Sequence, residues 1–437
     1  MIMSKDRKVV ITGIGPLAST GIGKDAFWKG ILKKSTGVKF EEFKIDGEVW
    51  DSFYYHGIEN FDIEKFNIEK EILEDIKIWK KGNEDKDLLY LLTAVKLALD
   101  DSGLTYDKEN NNIGLFLTVE HPGFEPFCEE LVKETIHYIE KNPLNNNFSK
   151  AKLFRHVFDQ FSQSGYDLQT FMYLFFITRA FGIHGYSLFT NNACSSGLFA
   201  LESAARQIKY GESDIVLLAG GDVANTMFKH SWFKEQGFYA EDGKMKPFSK
   251  NADGIVLADG ASALVLEELN HAQKRGAHIY AEYLGGGFSL EGWKVTMPQV
   301  GSSSYQNAMQ GALRKTELRP DDIDFIVPHG VAIKVTDGYE AKAITDVFGK
   351  NSQKPLITAF KPYVGHNLGG SAILEIIILL LCMKNNMVQP TLNCEEIEPK
   401  HNIKLVKELT NYPINTAMKI SCGFAGYNGA VIFRRVT

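Results

Sequence analysis

Leu188-Phe189-Thr190-Asn191-Asn192-Ala193-Cys194-Ser195-Ser196-Gly197 runs from a short β-rich segment directly into a helix. Over Ser195 to Lys209, Leu198, Leu201, Ala205 and Ile208 share one face, which is helical periodicity. Asp214 to Ala219 follows as a strand and stops at Gly220-Gly221. Strand, turn, helix and strand make one α/β unit, and the pattern recurs outward in both directions. Val9-Val10-Ile11-Thr12, Ile113 to Leu117, Ser262 to Glu267, Ile323 to Val327 and Ala430 to Phe433 read as strands. Leu88 to Asp100 reads as an amphipathic helix ending at Ser102-Gly103, and Gly370 to Met383 as an apolar helix. The alternation predicts an α/β chain with mixed sheets covered on both faces. Phe124 to Ser164 departs from it. This polar stretch, rich in Lys, Glu and Phe and holding Asn145-Asn146-Asn147, reads as a helical insertion. As a surface excursion it needs no further role; a dimer contact or a substrate lid are the alternatives.

The bulk numbers agree with a folded core. Of 437 residues, 44% are hydrophobic and 23% charged, and 48 Lys+Arg against 54 Asp+Glu leave a net charge of −6. That length suggests about two or three domains. Mild acidity argues against a nucleic-acid surface, which normally has a basic face. Lys5-Asp6-Arg7-Lys8 follow the first four residues, which does not read as a signal peptide. The longest uncharged apolar run, Ile376 to Met383, is far shorter than the roughly 20 residues of a membrane span, so none is expected. Five cysteines, an odd number with no C-x-x-C, fit a reduced, cytoplasmic protein rather than a disulfide scaffold or a zinc ribbon. No metal site is expected.

Several residues could carry chemistry. Cys194 sits at a strand-to-helix turn, where unpaired N–H groups and the helix dipole lower a thiol pKa. Small neighbours leave room for a substrate; a buried structural cysteine is the alternative. His329 ends an apolar strand, and His366 lies in the glycine-flanked turn Val364-Gly365-His366-Asn367-Leu368-Gly369-Gly370. Two such histidines with a helix-capping cysteine suggest a Cys/His/His site. Lys361 lies five residues before His366, near enough to orient it. Ser421-Cys422-Gly423-Phe424-Ala425-Gly426-Tyr427-Asn428-Gly429 is a glycine-rich loop that can present N–H groups to an oxyanion, or simply turn the chain. Gly13-Ile14-Gly15-Pro16-Leu17-Ala18 matches G-x-G-x-x-A, but Ser19 to Gly23 break any helix there. It reads as a turn between strand and helix rather than a dinucleotide fingerprint.

Taken together, these residues resemble the β-ketoacyl synthase family over nearly the whole chain. The likeness runs through Lys8 to Gly15, Ala193 to Gly197, Gly211 to Asp214, Lys246-Pro247-Phe248-Ser249, Ala252 to Val256 and Asp259-Gly260-Ala261. It continues at His329-Gly330, Asp337, Glu340, Lys361, Gly365-His366, Glu375, Pro390 to Asn393 and Gly423 to Gly429. The resemblance implies a thiolase-like fold, two similar α/β halves in an α-β-α-β-α arrangement. It places the first half at 1–268, with the insertion near 124–164, and the second at 269–437. It implies decarboxylative Claisen condensation of a malonyl thioester with an enzyme-bound acyl chain. Substrates would ride on the phosphopantetheine of acyl carrier protein, and no cofactor would be bound. Cys194 would take the acyl chain. His329 and His366 would stabilise the enolate, and Lys361 would hold and tune His366. The N–H groups of Cys194 and Phe424 would form the oxyanion hole, with Phe424 also gating the acyl pocket. Glu375 and Asp337 would support the site, and Lys80 and Lys81 would dock the carrier. The assembly implied is a homodimer, or a heterodimer with a second ketosynthase-like subunit.

The family's His-Gly-Thr-x-Thr is here His329-Gly330-Val331-Ala332-Ile333, so two hydroxyls that bond the pantetheine arm are gone. Its glycine-rich loop aligns with the bulkier, charged Thr118-Val119-Glu120-His121-Pro122-Gly123, and Asn192 replaces the usual threonine. These departures suggest a specialised fatty-acid or polyketide pathway. A non-catalytic chain-length-factor-like partner and a non-decarboxylating thiolase are the competing readings. The intact Cys194, His329, Lys361 and His366 weigh against the first, and the second histidine against the other.

Overall fold

The computed structural model describes residues 7–45, 47–80, 84–120, 123–142, 149–164, 169–224, 226–299, 301–349 and 354–436. The first five sheet strands are β1 (Val9–Ala18), β2 (Gly114–Thr118), β3 (Ser187–Phe189), β4 (Ile215–Asp222) and β5 (Gly260–Glu268). The next five are β6 (Ala281–Leu290), β7 (Phe325–Val327), β8 (Leu356–Ile357), β9 (Thr416–Gly423) and β10 (Tyr427–Arg434). They lie on one path, β3-β2-β4-β5-β1-β6-β10-β9-β7-β8. β1 pairs antiparallel with β5, β5 antiparallel with β4, and β4 and β2 run parallel to their outer neighbours. From β6 outward the sense is repeated: two antiparallel pairings, then two parallel ones. The molecule is therefore two copies of one α/β motif, joined where Val9 to Ile11 meet Ala281 to Tyr283.

Helices complete the layers. Lys86–Ser102 covers the first half of the sheet and Ser304–Thr316 the second half, while Ser196–Lys209 and Ser371–Asn385 pack against each other between them. The central position explains why Ser371–Asn385 is apolar all round: every residue from Ser371 to Met383 is buried. Leu368–Asn385, which contains it, is long and apolar enough to cross a membrane, yet 89% of that stretch is buried inside the protein.

The glycine-rich run near the start is not a turn. β1 continues through Gly13 and Gly15 to Ala18, with a shift of register against β5 between Ile11 and Gly13. A Cβ on Gly13 would stand 2.2 Å from Ala98 O, and one on Gly15 2.0 Å from Ala94 O. The glycines are there because helix Lys86–Ser102 lies directly on the strand. Within the insertion, Phe124–Lys141 and Lys150–Ser164 are helices packed on each other; Asn145-Asn146-Asn147, like His121 and Pro122, lies outside the described residues.

Candidate active site

The two repeats bring equivalent helix ends together. Cys194 precedes Ser196–Lys209, and His366 precedes Ser371–Asn385, so both face the same opening from the central layer. His329 arrives from the end of β7 and Phe424 from the end of β9. One cavity is lined by Cys194, His329, His366 and Phe424 together. The backbone is strained around all four. Ala193, Ala332, Leu368 and Ala425 have φ of 51°, 62°, 36° and 59°, conformations that side chains rarely adopt. Gly423 permits the closest approach: a Cβ there would lie 2.9 Å from Asn192 O and 3.2 Å from Ser195 N. The Phe424 backbone is thereby pressed against the Cys194 turn. The Phe424 ring rests among Trp232, Phe233 and Phe238, with centroids 5.7, 6.1 and 6.3 Å away.

The two imidazoles are edge-to-face, with centroids 5.8 Å apart at 84°. His366 Nδ1 accepts the Leu368 N–H at 3.1 Å and lies 2.9 Å from Ser371 Oγ. Its proton is therefore on Nε2 when the ring is neutral. Ser421 Oγ donates to Cys194 O at 3.1 Å and lies 3.3 Å from His329 Nδ1, tying the Cys194 turn to the ring. Burial, reinforced by the charges of Lys361 and Lys419, holds both histidines well below the usual imidazole range. Both are neutral at neutral pH.

Lys361 does not bond the His366 ring, as its spacing suggested. Its Nζ donates to His329 O at 2.7 Å and to both Glu375 oxygens at 3.0 Å. It reaches His366 only through its charge. A second buried lysine, Lys419, joins the same carboxylate. Its signal is a charged residue inside the apolar strand Ala417-Met418-Lys419-Ile420. Carboxylates behind His329 shape its loop. Glu340 accepts the N–H groups of His329 and Gly330 at 2.7 and 2.8 Å. Asp337 accepts those of Phe248 and Val331 at 2.6 and 3.1 Å. Burial pushes Asp337 up to about 8.

Two expectations are corrected. The Cys194 thiol is not lowered: burial and the nearby Glu120 carboxylate push it well above the ordinary thiol value, outweighing Lys361. Lys80 is not a free basic group at the surface. It is buried, with Nζ 2.8 Å from Asp85 Oδ2 and 5.7 Å from the Tyr173 ring centroid. Lys81 lies outside the described residues. Val331 and Ile333 line the cavity as aligned, but so do the hydroxyl-bearing Thr296 and Thr336. Thr336 carries no signal in the sequence because it lies beyond the motif, in helix Lys334–Phe348.

Comparison with known proteins places this geometry. The chain is 31% identical to 3-oxoacyl-[acyl-carrier-protein] synthase 2 of Vibrio cholerae over 450 residues, covering 99% of this chain and all of that protein. The corresponding Coxiella burnetii protein is 27% identical, covering 98% of this chain and 99% of that one. Among solved structures, the ishigamide ketosynthase/chain length factor superposes with a TM-score of 0.82 at 24% identity, covering 99% of this chain and 100% of that one. A beta-ketoacyl synthase from Burkholderia phymatum gives the same TM-score, identity and coverage. The model of the beta-ketoacyl synthase N-terminal domain matches residues 6–272 and that of the C-terminal domain residues 280–395. With both domain models matched in order along a thiolase-like double repeat, this chain belongs to the β-ketoacyl synthase family.

Proposed function

We propose that the protein is a β-ketoacyl-[acyl-carrier-protein] synthase, condensing malonyl carrier protein with an acyl chain held on Cys194. The observation that carries this is the meeting of Cys194, His329 and His366 at one cavity, each on a separate, internally braced turn. In the first half-reaction Cys194 Sγ attacks the acyl thioester and the pantetheine thiol leaves. The N–H groups of Cys194 and Phe424, brought together by Gly423, hold the oxyanion. In the second, loss of carbon dioxide from the malonyl group puts negative charge on its thioester oxygen. Neutral imidazole N–H, available on His366 Nε2, stabilises that charge, and His329 shares the task. The enolate carbon then attacks the Cys194 thioester, the acyl C–S bond breaks, and Cys194 leaves as thiolate while the β-ketoacyl chain stays on the carrier. Lys361 and Glu375 keep the His329 carbonyl in place, and Asp337 shapes the Val331 turn. The partner is acyl carrier protein, and a specialised pathway fits the Val331, Ile333 and Glu120 departures. The reading includes a dimer across the first half, where β3 ends the sheet path with Phe171, Phe175 and Tyr186 about half exposed nearby. It also includes a cytoplasmic setting, in keeping with five unpaired cysteines.

Intact-protein mass spectrometry with acyl- and malonyl-loaded carrier proteins tests it. Wild type should gain the acyl mass and yield a β-ketoacyl carrier. Cys194→Ala should gain none. Acyl mass on Cys194→Ala, or no condensed product from wild type, would refute it.

A further inference from the structure

Asp222, the buried last residue of β4, is bonded toward both the His366 and the Cys194 turns. Its carboxylate accepts the Gly369 N–H at 3.0 Å, and its own carbonyl accepts Asn367 Nδ2 at 2.6 Å. Those two residues flank Leu368, which has a φ of 36° and gives its N–H to His366 Nδ1. Asp222 thus grips the strained residue from both sides. On the Asn367 side the hold is shared, since Asn367 Nδ2 also donates to Ala258 O and Gly260 O at 3.0 and 3.1 Å. On the Gly369 side it rests on two side chains: the Asp222 carboxylate takes the N–H, and Thr118 Oγ1 donates to the carbonyl at 3.1 Å. Toward Cys194 the link is longer. Asp222 accepts the Glu120 N–H at 3.2 Å, Glu120 O accepts Asn191 Nδ2 at 3.2 Å, and Asn191 Oδ1 accepts the Ala193 N–H at 3.0 Å. Lys229 compensates the buried charge. It is itself buried, on helix Met227–Glu235, with Nζ 3.5 Å from Asp222 Oδ1 and donating to Val223 O at 2.7 Å.

Gly369 lies in the short helical turn Leu368–Gly370 that leads into Ser371–Asn385, where an N–H has no carbonyl of its own helix to bond. A carboxylate on such an N–H makes a charge-assisted bond, about twice as strong as a neutral one. That strength suits it to hold Leu368 in a conformation that costs energy. We propose that Asp222 is a positioning residue for His366. Its carboxylate fixes Gly369, Gly369 keeps Leu368 in its strained conformation, and the Leu368 N–H keeps His366 Nδ1 an acceptor, with the ring proton on Nε2. Without the carboxylate Leu368 relaxes, and Ser371 Oγ alone is left on Nδ1. A hydroxyl donates or accepts with equal ease, so it does not select the tautomer. This role rests on the reading of His366 as a group that stabilises the enolate.

Two variants separate positioning from stability. Lys229→Met leaves a buried carboxylate uncompensated but keeps its bond to Gly369. It should melt lower than wild type and retain most of the decarboxylation rate. Asp222→Ala with Lys229→Met removes both charges. It should melt higher than Lys229→Met alone, yet its kcat for carbon dioxide release from malonyl carrier protein should fall by about 100-fold, the scale of a misplaced catalytic group. KM for malonyl carrier, and acylation of Cys194 followed by intact-protein mass, should stay close to wild type, because neither depends on the His366 tautomer. A merely structural role would make rate follow stability and would slow acylation as well. Asp222→Asn keeps the volume and still accepts one of the two N–H groups, so its kcat should fall in the same direction by a smaller factor. A kcat for Asp222→Ala with Lys229→Met less than about tenfold below wild type, or acylation falling in step with it, overturns the proposal. His366→Ala, run alongside, separates the two readings. Decarboxylation surviving there overturns the role of the histidine and the positioning with it; decarboxylation lost there but intact in the double variant overturns the positioning alone.

Discussion

Lys361 and Lys419 converge on one buried carboxylate, with Nζ 3.0 and 2.7 Å from Glu375 Oε2. Two ammonium groups on one carboxylate leave a positive surplus behind the histidines. Lys419 also donates to Pro328 O at 2.9 Å, next to His329. A surplus cation there keeps the imidazoles neutral and favours any negative charge formed in front of them.

The surplus has a cost that depends on pH. Burial, with Lys361 adding to it and Glu375 opposing, lowers Lys419 from 10.5 to about 8. Between those values the unfolded chain binds the proton and the folded one does not, so stability falls as pH drops through that window and rises with pH across it. Below about 8 both states bind it and the cost is fully present. Lys419→Met lacks this titration. The unfolding free energy of wild type minus that of Lys419→Met should therefore grow by on the order of 1 kcal/mol per pH unit above pH 8. Urea titrations from pH 7 to 10 measure it; a flat difference would show that Lys419 is not destabilised by its surroundings.

The histidines should matter unequally to the two half-reactions. On the proposed reading, His329→Ala and His366→Ala each remove a group that stabilises the malonyl oxygen, and both leave Cys194 in place. Losing one donor to a developing oxyanion typically costs about 100- to 1000-fold. Carbon dioxide release from malonyl carrier should fall by that order, while acylation of Cys194 persists. Ser371→Ala should do less, since Leu368 N–H still holds His366 Nδ1. Undiminished decarboxylation in both alanine variants would remove the histidines from this role.

The architecture and the grouping of Cys194, His329 and His366 at one cavity are legible in the sequence because each leaves a local trace. The helix after Cys194 has a one-sided apolar face, and His329 and His366 stand at the ends of apolar elements. What stays hidden depends on long-range contacts. Lys361 reads as a partner of His366 five residues on, but its ammonium is drawn 32 residues back along the chain to His329 O. Lys80 reads as a surface cation, yet Asp85 and Tyr173 enclose it. The helix end alone speaks for a lowered Cys194 thiol; burial and Glu120, 74 positions away in the sequence, reverse the outcome. Gly13 and Gly15 read as a turn because nothing local announces a helix lying on a strand.

That last contact makes a packing prediction. A methyl group on Gly13 would meet backbone, Ala98 O at 2.2 Å, which cannot rotate away. Gly13→Ala should destabilise by at least about 1–3 kcal/mol, the range typical of overpacking. Gly338→Ala is the contrasting case. Gly338 lies inside helix Lys334–Phe348 and its added Cβ would meet only His401 Nε2 at 3.4 Å. Greater helix propensity should make it neutral or stabilising by about 0.5–1 kcal/mol. The melting temperature of Gly13→Ala should fall while that of Gly338→Ala holds or rises; an unchanged melting temperature for Gly13→Ala would deny that helix Lys86–Ser102 presses on β1.

The pantetheine arm offers the final test. Val331 and Ile333 supply no hydroxyl where the family has two, but Thr336 lines the same cavity from helix Lys334–Phe348. A net hydrogen bond is worth about 0.5–1.5 kcal/mol, or roughly two- to tenfold in binding. If Thr336 has taken over from the missing threonines, Thr336→Val should lower kcat/KM for malonyl carrier protein by about that factor, mainly through KM. Val331→Thr added to Thr336→Val should recover part of the loss, because it returns a hydroxyl to the same wall. Iodoacetamide labelling of Cys194 should be unchanged in both, since the small reagent does not use the arm contacts. A Thr336→Val enzyme with unaltered kcat/KM would mean that the arm is held elsewhere, with Thr296 the next hydroxyl on the cavity wall to test.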